Sequence, residues 1–332
     1  MLGLPVLLVV TFALGALGTR AALGYARRRG VLDLPGRRSS HARPTPRGGG
    51  IAIAGTATVA AVVLLAGGAL PTWTGLVWLG VLAVAVVGWI DDHRPLGVGV
   101  RLAVHLAAGG WILWWIPGIP AFWPLWAALI LATAWTINLY NFMDGIDGLA
   151  AAEAVFVFAA AGWMMAQPAA GLRELAWGVA AAGCGFLLYN HPPARIFMGD
   201  VGSAFLGAAA AALAVAGWAV GALAWWMWLI LGAVFWVDAS YTLFVRTVSG
   251  QRIWEAHRSH AYQILARRWR SHGRVTALVS FYNVFWLLPL AGWAQREPGR
   301  WPWALGLAVV PVLSACVALG AGRPERAAEA PS

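Results

Sequence analysis

The sequence predicts an all-α polytopic membrane protein of about eleven transmembrane helices, with its polar residues gathered on the cytoplasmic face. Of its 332 residues, 61% are apolar and only 11% are charged, and the mean hydropathy is +0.71. Soluble domains carry about 25% charged residues. Apolar runs of about 17 to 25 residues, which is the length that crosses the hydrocarbon core of a bilayer, recur along the whole chain.

The apolar runs give the expected helices in chain order. They are residues 2–24, 49–70, 73–90, 101–116, 121–139, 149–166, 174–190, 202–217, 221–245, 275–294 and 301–321. The first run could be a signal peptide, but no basic residue precedes it and the cluster at 27–29 follows it, which favours a retained helix. We expect one membrane domain over residues 1–321 and a short cytoplasmic tail over residues 322–332.

The distribution of arginine predicts the orientation of these helices. All 23 basic residues are Arg, and with an outward amino terminus 20 of them fall on the cytoplasmic side and 3 on the other. Positively charged residues are retained on the cytoplasmic side of a membrane protein. The amino terminus is therefore predicted to face outward and the connections after odd-numbered spans to face the cytoplasm.

Carboxylate and amide side chains also collect in the cytoplasmic connections. Five carboxylates and two amides in the stretches WIDDH, NLYNFMDGIDGL and RIFMGDVGS are Asp91, Asp92, Asn138, Asn141, Asp144, Asp147 and Asp200. Charge within or beside a transmembrane segment is costly and usually marks a functional site. Few cations lie among these residues, and helix capping alone explains such a gathering less well than a functional site does.

Two interpretations of the acidic cluster remain open. Asp147 and Asp200 each precede a predicted span and could simply cap it. Alternatively the cluster binds a divalent cation, because Mg²⁺ takes carboxylate, water and phosphate oxygens. On a helix, Asn141, Asp144 and Asp147 would share one side at their spacing of three residues, while Gly145 and its neighbours would let backbone approach a ligand. This second interpretation predicts a metal and phosphate site at the membrane surface.

The stretch GRRSSHARPTPRGGG, residues 36–50, supplies positive charge on the same face. Arg47 precedes three glycines whose N–H groups could approach an anion, although no Gly-Lys-Ser/Thr element of a Walker loop is present. We expect a phosphate cradle here. A basic loop attracted to anionic lipid is the alternative, mainly for the Arg cluster at 27–29.

The longest cytoplasmic connection, RTVSGQRIWEAHRSHAYQILARRWRSHGR, contains a second cluster of functional groups. His257 and His260 flank Arg258 at a spacing that a helix would place on one side. A zinc site is disfavoured because no thiolate or carboxylate ligand lies at a suitable spacing. Imidazole and guanidinium groups suit a pyrophosphate. The alternative is an amphipathic helix on the membrane surface, carried by the apolar residues between 264 and 269.

The motifs DDHRPL, NLYNFMDGIDGLAA, RIFMGDVGSAFLG and HRSHAYQ, in this order, resemble those of the polyprenyl-phosphate N-acetylhexosamine-1-phosphate transferases, bacterial glycosyltransferase family 4. The resemblance covers residues 1–321 and includes Asp238, Arg246 and Gly250. It implies that undecaprenyl phosphate attacks the β-phosphate of a UDP-N-acetylamino sugar, giving undecaprenyl-diphospho-sugar and UMP. It also implies Mg²⁺ as cofactor, with Mn²⁺ as a possible substitute.

The same resemblance assigns roles to the motif residues. Asp200 would ligate Mg²⁺, supported by Asn141 and Asp144, while Asp91 and Asp92 would bind or deprotonate the lipid phosphate. The nucleotide-binding and sugar-binding positions it implies are Asp147 and Gly145 at the uracil, Phe197 stacked on it, and His257, Arg258 and His260 at the diphosphate or sugar. The catalytic set would be Asp91, Asp92, Asp144, His257 and His260.

The sequence HRSH departs from the denser histidine cluster found in much of the family. It resembles members that initiate lipopolysaccharide O-antigen synthesis with 6-deoxy amino sugars, which argues against N-acetylglucosamine and against a muramyl-pentapeptide donor. We expect the bacterial inner membrane as location, the lipid bilayer and both substrates as partners, a possible homodimer and no nucleic acid. Two rival classes are a multi-pass transporter and a prenyltransferase with Asp-rich motifs.

Overall fold

The computed structural model of the protein describes residues 3–34, 43–166, 171–252, 254–255 and 257–324. The α-helices in chain order are α1 (Leu4–Arg29), α2 (Ile51–Ala66), α3 (Thr72–His93), α4 (Val98–Trp115), α5 (Trp123–Met143), α6 (Leu149–Met164), α7 (Leu172–Asn190), α8 (Asp200–Ala219), α9 (Trp225–Leu231), α10 (Ala233–Val248), α11 (Ala261–Trp269), α12 (His272–Tyr282), α13 (Leu288–Arg296) and α14 (Trp301–Leu319). A π-helical turn at Asn283–Leu287 joins α12 to α13, and a short 3₁₀ turn at Pro298–Arg300 precedes α14. The predicted all-α class is confirmed.

Each predicted apolar run coincides with a helix or a pair of helices. Within the described residues, seven helical segments are long and apolar enough to cross a membrane, and α9 with α10 makes an eighth if the bent pair is one span. Helices α2 and α6 are apolar but shorter, with 16 residues each. The polytopic membrane class therefore follows from length and composition, and the count of eleven spans stays a prediction.

The helix ends differ from the predicted ones where the acidic motifs begin. Helix α3 continues to His93, so Asp91 and Asp92 lie in its last turn and not in the connection after it. Helix α5 ends at Met143, so Asn141 lies on the helix while Asp144 and Asp147 lie in the turn that follows it, and the three do not share one helical turn. Gly148 has a φ of 77°, a conformation that favours glycine, and it ends this turn where α6 begins.

Helix α8 is the central helix of the fold. Within its apolar window, 89% of the residues are buried, against at most 44% for the other long spans. Ala and Gly make up most of the helix, and their small side chains let α3 and α5 approach it closely. Because Asp200 is the first residue of α8, the end of this rigid helix holds the carboxylate among its neighbours.

A bend interrupts the chain between α9 and α10. The two helices meet at Gly232 with an angle of 79°, which the uniform run predicted for residues 221–245 did not indicate. The bend turns α10 toward the segment that carries HRSH. It thereby brings Asp238 of α10 to the amino-terminal end of α11.

The glycines after Arg47 serve packing and not the predicted phosphate cradle. Gly49 N–H donates to Phe197 O at 2.9 Å and Gly50 N–H to Met198 O at 2.8 Å, so both donors are used within the protein. A Cβ on Gly50 would lie 2.6 Å from the backbone nitrogen of Gly202, where α2 meets α8. The cradle prediction is therefore wrong for these two glycines. Residues 36–42 of the same stretch lie outside the described residues.

A two-stranded antiparallel ribbon precedes these glycines. It pairs β1 (Leu32–Asp33) with β2 (Thr45–Pro46). The Phe197 N–H donates to Pro46 O at 2.8 Å, which links the ribbon to the loop that leads into α8. This link fixes Phe197 beside the end of α3, at the edge of the site described below.

The carboxyl-terminal end of α14 lies on the same face as the HRSH segment. Gly322 N–H donates to Ser259 O at 2.9 Å, and the Gln251 side chain donates to Gly322 O at 2.9 Å. A fusion at Ser332, which lies beyond the described residues, should therefore report the same side as the HRSH segment. We expect activity from a reporter that works only in the cytoplasm.

Insertion of the same reporter after Gly299, between α13 and α14, should give the opposite result and serves as control. Activity of the Ser332 fusion solely with a reporter that needs the periplasm would overturn the predicted orientation. The extent of the proposed tail, residues 322–332, is not tested by the structure and stays a prediction.

Candidate active site

Two cavities of different character meet beside the amino-terminal end of α8. The first, here named the polar cavity, has a volume of about 250 Å³ and is lined mainly by acidic, amide and basic side chains together with Phe197. The second, here named the amphipathic cavity, has a volume of about 590 Å³ and combines apolar walls with histidine and arginine side chains. Four residues line both cavities: Asn141, Gly145, Asp200 and Gln263.

Asp92 caps the helix that begins with Asp200. Its carboxylate, only 1% exposed, accepts the backbone N–H of Asp200 at 3.0 Å and that of Val201 at 3.2 Å. A carboxylate is favourable at this end of a helix because the amino terminus carries unpaired N–H donors and partial positive charge. Gly199 makes the approach possible, since a Cβ there would lie 2.7 Å from an oxygen of Asp92. The capping role that Asp200 could have had is thus filled by Asp92.

The side chain of Asp200 instead points to polar side chains of α4 and α5. Asn141 donates its amide N–H to one carboxylate oxygen at 2.8 Å, and Arg101 donates to the other at 3.2 Å. The same Arg101 nitrogen contacts Asp91 at 3.1 Å. Arg101 therefore bridges Asp91 and Asp200, while the Leu96 N–H holds the second oxygen of Asp91.

Asp144 lies close to several other carboxylates of the site. Burial and the neighbouring carboxylates of Asp200, Asp92 and Asp147 raise the pKa of Asp144 well above its usual range. Such an environment favours a nearby positive charge, because a cation would relieve the repulsion among the carboxylates. Asp144 lines the polar cavity, so this charge could come from a ligand within it.

Asp147 connects its own turn with the loop at Ala194 and with α12, at one end of the polar cavity. Its carboxylate accepts the Ala194 N–H at 3.0 Å and lies 3.2 Å from Nδ1 of His272 at the start of α12. Thr276, one turn further along α12, donates its hydroxyl to the Asp147 carbonyl at 3.0 Å. Asp147 does not cap α6, and its partners fix the wall where Phe197 also lies.

Gly145 is required by the close approach of α11. A Cβ at this position would collide with the Tyr262 hydroxyl and would lie 2.8 Å from the Gln263 amide nitrogen. Tyr262 donates its hydroxyl to the Phe142 carbonyl at 2.8 Å. The end of α5 and the turn after it thus contact α11 where the two cavities meet.

The HRSH segment is extended and not helical, yet its two imidazole rings lie together. The ring centroids of His257 and His260 are 5.0 Å apart with an interplanar angle of 29°, and both rings line the amphipathic cavity. The two rings lie close together as predicted. A helix is not the reason, because α11 begins only at Ala261. Arg258 is not among the residues that line either cavity.

The structure brings most of the predicted site residues to the two cavities. Those lining one or both are Asp92, Asn141, Asp144, Gly145, Asp147, Phe197, Asp200, His257 and His260. Asp91 joins them through Arg101, and the Asn138 amide lies in the amphipathic cavity 3.1 Å from His105. Their catalytic, nucleotide-binding and metal-binding roles stay predictions.

Three contributors were missed by reasoning from the sequence: Arg101, Gln263 and His272. Arg101 was counted only as a topological charge, although its position inside the predicted fourth span could have marked it as functional. Gln263 follows HRSH by three residues, a spacing at which a side chain can bond back to the start of a helix. His272 lies far from Asp147 in the chain, and only their tertiary contact reveals the pair.

The donor set suits a hard divalent cation. Asp144 and Asp200 present carboxylate oxygens, and Mg²⁺ commonly binds through one or two carboxylates with waters and substrate phosphates completing its shell. Among the described residues, no three His, Cys, Asp or Glu side chains form a closed metal group by themselves. An open site of this kind leaves coordination positions for a substrate.

The structure thus shows a polytopic helical protein with an acidic site between a polar and an amphipathic cavity. Comparison with known proteins identifies the family. Residues 74–218 match the model of glycosyl transferase family 4, a range that includes the acidic residues from Asp91 to Asp200. Together with the relatives below, this match shows that the chain belongs to that family.

Similar proteins extend the match over nearly the whole chain. A phospho-N-acetylmuramoyl-pentapeptide-transferase of Synechococcus sp. (strain JA-2-3B'a(2-13)) is 33% identical over 91% of this chain and 95% of the relative. Its counterpart in Synechococcus sp. (strain JA-3-3Ab) is 32% identical over 70% and 73%. A probable undecaprenyl-phosphate N-acetylglucosaminyl 1-phosphate transferase of Bacillus subtilis (strain 168) is 30% identical over 76% and 74%.

Proposed function

We propose that the protein transfers an N-acetylamino-sugar 1-phosphate from a UDP-sugar to undecaprenyl phosphate, releasing UMP. The observation that carries this proposal is the meeting of the polar and amphipathic cavities at Asn141, Gly145, Asp200 and Gln263. A transfer between a water-soluble donor and a lipid acceptor needs two such compartments with one shared reaction centre. The names of the relatives, which describe sugar-phosphate transfer, support the same reaction class.

The polar cavity suits the nucleotide part of the donor. Phe197 supplies an aromatic face for a base, and Asp147 supplies a carboxylate that can accept the N–H of a uracil. His272 holds Asp147 in place at this end. With the uracil here, the diphosphate extends toward Asp144 and Asp200.

The amphipathic cavity suits the lipid phosphate and the sugar. Leu102, Trp135 and Leu243 form apolar walls for the lipid chain, while Arg101 supplies a guanidinium for its phosphate. His257 and His260 lie on the opposite side, where they can donate to the sugar or diphosphate. The two reacting phosphates would thus approach each other beside Asp200.

Mg²⁺, or Mn²⁺ in its place, would be held by Asp200 and Asp144, with Asn141 fixing the Asp200 carboxylate. When bound, the cation would neutralise the donor diphosphate and stabilise charge as the phosphoryl group transfers. Asp92 holds Asp200 at the helix end, and Arg101 orients Asp91 and Asp200 toward the amphipathic cavity. The lipid phosphate needs no strong base near neutral pH, because the second pKa of a phosphate monoester is about 6.

The finer role that we propose is initiation of O-antigen or another envelope glycan at the cytoplasmic face of the inner membrane. The HRSH motif and the excess of Arg on one face support this assignment. The muramoyl-pentapeptide donors named for several relatives are therefore competitors to be tested directly. A homodimer stays a prediction.

The test uses purified protein in detergent with undecaprenyl phosphate, Mg²⁺ and separate UDP-sugars, including N-acetylfucosamine, N-acetylglucosamine and muramoyl-pentapeptide donors. We expect UMP and an undecaprenyl-diphospho-sugar, identified by mass spectrometry, with one of the simple N-acetylamino sugars. Release of inorganic diphosphate would indicate a prenyltransferase, and solute flux without any product would indicate a transporter. Turnover of the muramoyl-pentapeptide donor alone would overturn the donor and pathway while leaving the reaction class intact.

Donor choice should depend on the segment that ends in HRSH. Trp254 and His257 line the amphipathic cavity and not the polar cavity, whereas Phe197 and Asp147 do the reverse. Replacing Trp254 or His257 with Ala should change the ratio of kcat/KM between UDP-sugars by about 10-fold or more, the scale of one lost polar contact. Inhibition by UMP should stay unchanged.

Phe197→Ala is the matched control and should weaken UMP binding with every donor. His272 belongs to the same connection but lines the polar cavity, so the prediction is confined to residues 251–260. Loss of UMP binding in a folded Trp254→Ala or His257→Ala variant would contradict the division of the site.

A further inference from the structure

Asp238 is a buried carboxylate of α10 that the reaction scheme above does not use. It is 2% exposed, and it faces the amino-terminal end of α11 across the bend of the chain. Its oxygens accept the backbone N–H groups of Ala261 and Tyr262, each at 3.0 Å, and the hydroxyl of Thr242 at 3.0 Å. The fourth partner is Nδ1 of His260 at 3.2 Å.

The contact with Asp238 determines how the His260 ring is presented. A carboxylate that already accepts three donors takes the N–H of the imidazole, so Nδ1 carries the proton and Nε2 is left for other partners. His260 lines the amphipathic cavity, which makes Nε2 the atom available to a ligand there. Asp238 of α10 therefore sets the orientation of the His260 ring through Nδ1, the nitrogen that would not contact the ligand.

Packing transmits this orientation to the second histidine. The His260 ring stacks on His257, at a centroid distance of 5.0 Å and an interplanar angle of 29°, and on Phe142, at 6.2 Å and 24°. His257 is further held by a contact of 3.1 Å between its Nδ1 and the Ser259 hydroxyl. Movement of His260 would consequently displace His257 as well.

We propose that Asp238 is a positioning residue for the sugar-phosphate transfer, acting through His260. It holds Nδ1–H of His260 and the start of α11, and thereby aims Nε2 of His260 and the stacked His257 ring at the junction of the two cavities. This inference rests on the proposed function. A carboxylate that only caps α11 would stabilise the helix without affecting the reaction through His260.

A double-mutant cycle separates the two roles. Asp238→Asn should lower kcat by about 100-fold, the cost of a misplaced catalytic group, and His260→Ala should cause a loss of similar size. If Asp238 acts through His260, the double variant should be within about 3-fold of His260→Ala, because residues that act as a unit are not additive. Losses that multiply to roughly 10⁴ would overturn the proposal.

Controls address folding and the nucleotide site. Thr242→Val removes one hydrogen bond from the same carboxylate without touching His260 and should keep activity within about 5-fold. UMP binding by Asp238→Asn should match that of the wild-type protein, and the thermal unfolding midpoint of the variant should lie above the assay temperature. A Thr242→Val loss equal to that of Asp238→Asn would favour a purely structural role and contradict the proposal.

A second test uses a variant of His260 and therefore does not depend on the stability of Asp238 variants. The amide nitrogen of Asn corresponds in position to Nδ1 of His, so His260→Asn retains a donor for Asp238 but lacks Nε2. It should be as impaired as His260→Ala, and near-normal turnover would overturn the proposal. If the wild-type protein transfers no sugar phosphate, the proposed function itself fails; wild-type activity with an additive cycle refutes the positioning role alone.

Discussion

Replacing Asp200 with Asn should leave a folded, membrane-inserted protein whose transfer activity falls at least about 100-fold, the typical cost of one lost transition-state contact. The substitution keeps the size and one oxygen of the side chain but removes its charge. Asn would accept the Asn141 amide but could no longer pair with Arg101 or contribute a carboxylate to a bound cation. We expect only partial recovery in excess Mg²⁺ or Mn²⁺.

The structure makes this substitution more informative than the sequence alone. If Asp200 were a helix cap, Asn would replace it with little effect, because Asn caps about as well as Asp. Asp200 makes no side-chain capping bond, and Asp92 accepts the N–H groups at this helix end instead. The expected loss therefore concerns the chemistry of the site and not the start of α8.

The measurement is UMP release by purified variants over a range of Mg²⁺ concentrations. Ser203→Ala is a suitable control, since it removes the 3.3 Å contact between Ser203 and Asn141 one turn away and leaves the Asp200 charge in place. Its activity should stay within about 5-fold, as expected for a single weak hydrogen bond. Near-normal turnover of Asp200→Asn at ordinary Mg²⁺ would remove Asp200 from the proposed metal site.

The motif residues could be found from the sequence because a membrane restricts where polar groups can lie. Asn141, Asp144 and Asp200 stand at the ends of long apolar runs, and the Arg distribution places those ends on one face. Proximity along the membrane normal was thus predictable. Proximity within the plane depends on which helices pack together, and the linear spacing of residues carries no information on that.

Contacts across helices account for what the sequence could not predict. Asp92 reaches the amino terminus of α8 over 108 residues, and Asp238 reaches α11 only because the chain bends at Gly232. The GGG stretch had the composition of a phosphate loop. Gly50 instead lies where α2 meets α8, and a side chain there would separate the two helices. Small residues in membrane proteins often serve such close approach.

Gly88→Ala should lower transfer activity about 100-fold or more by displacing the acidic residues, although Gly88 itself has no functional side chain to offer the amphipathic cavity that it lines. Gly88 lies on α3 one turn before Asp92, where the helix crosses the start of α8. A Cβ there would lie 2.6 Å from the backbone carbon of Asp200 and 2.7 Å from the nitrogen of Val201. Because both partners are backbone atoms, the added methyl must push α3 away from α8. A misplacement of about 1 Å at a reacting centre can cost about 100-fold in rate.

The displacement should break the capping bonds of Asp92 and shift Asp200 relative to Asn141, so UMP release should fall while membrane insertion is retained, as Ala favours a helix over Gly. Gly55→Ala on α2 is the matched control, because a Cβ there meets no atom within 4 Å. Its activity and thermal unfolding midpoint should equal those of the wild-type protein. Overpacking at Gly88 should also lower the free energy of unfolding by about 1–3 kcal/mol. Wild-type turnover of Gly88→Ala, with Gly55→Ala equally active, would show that the spacing of α3 and α8 does not control the site.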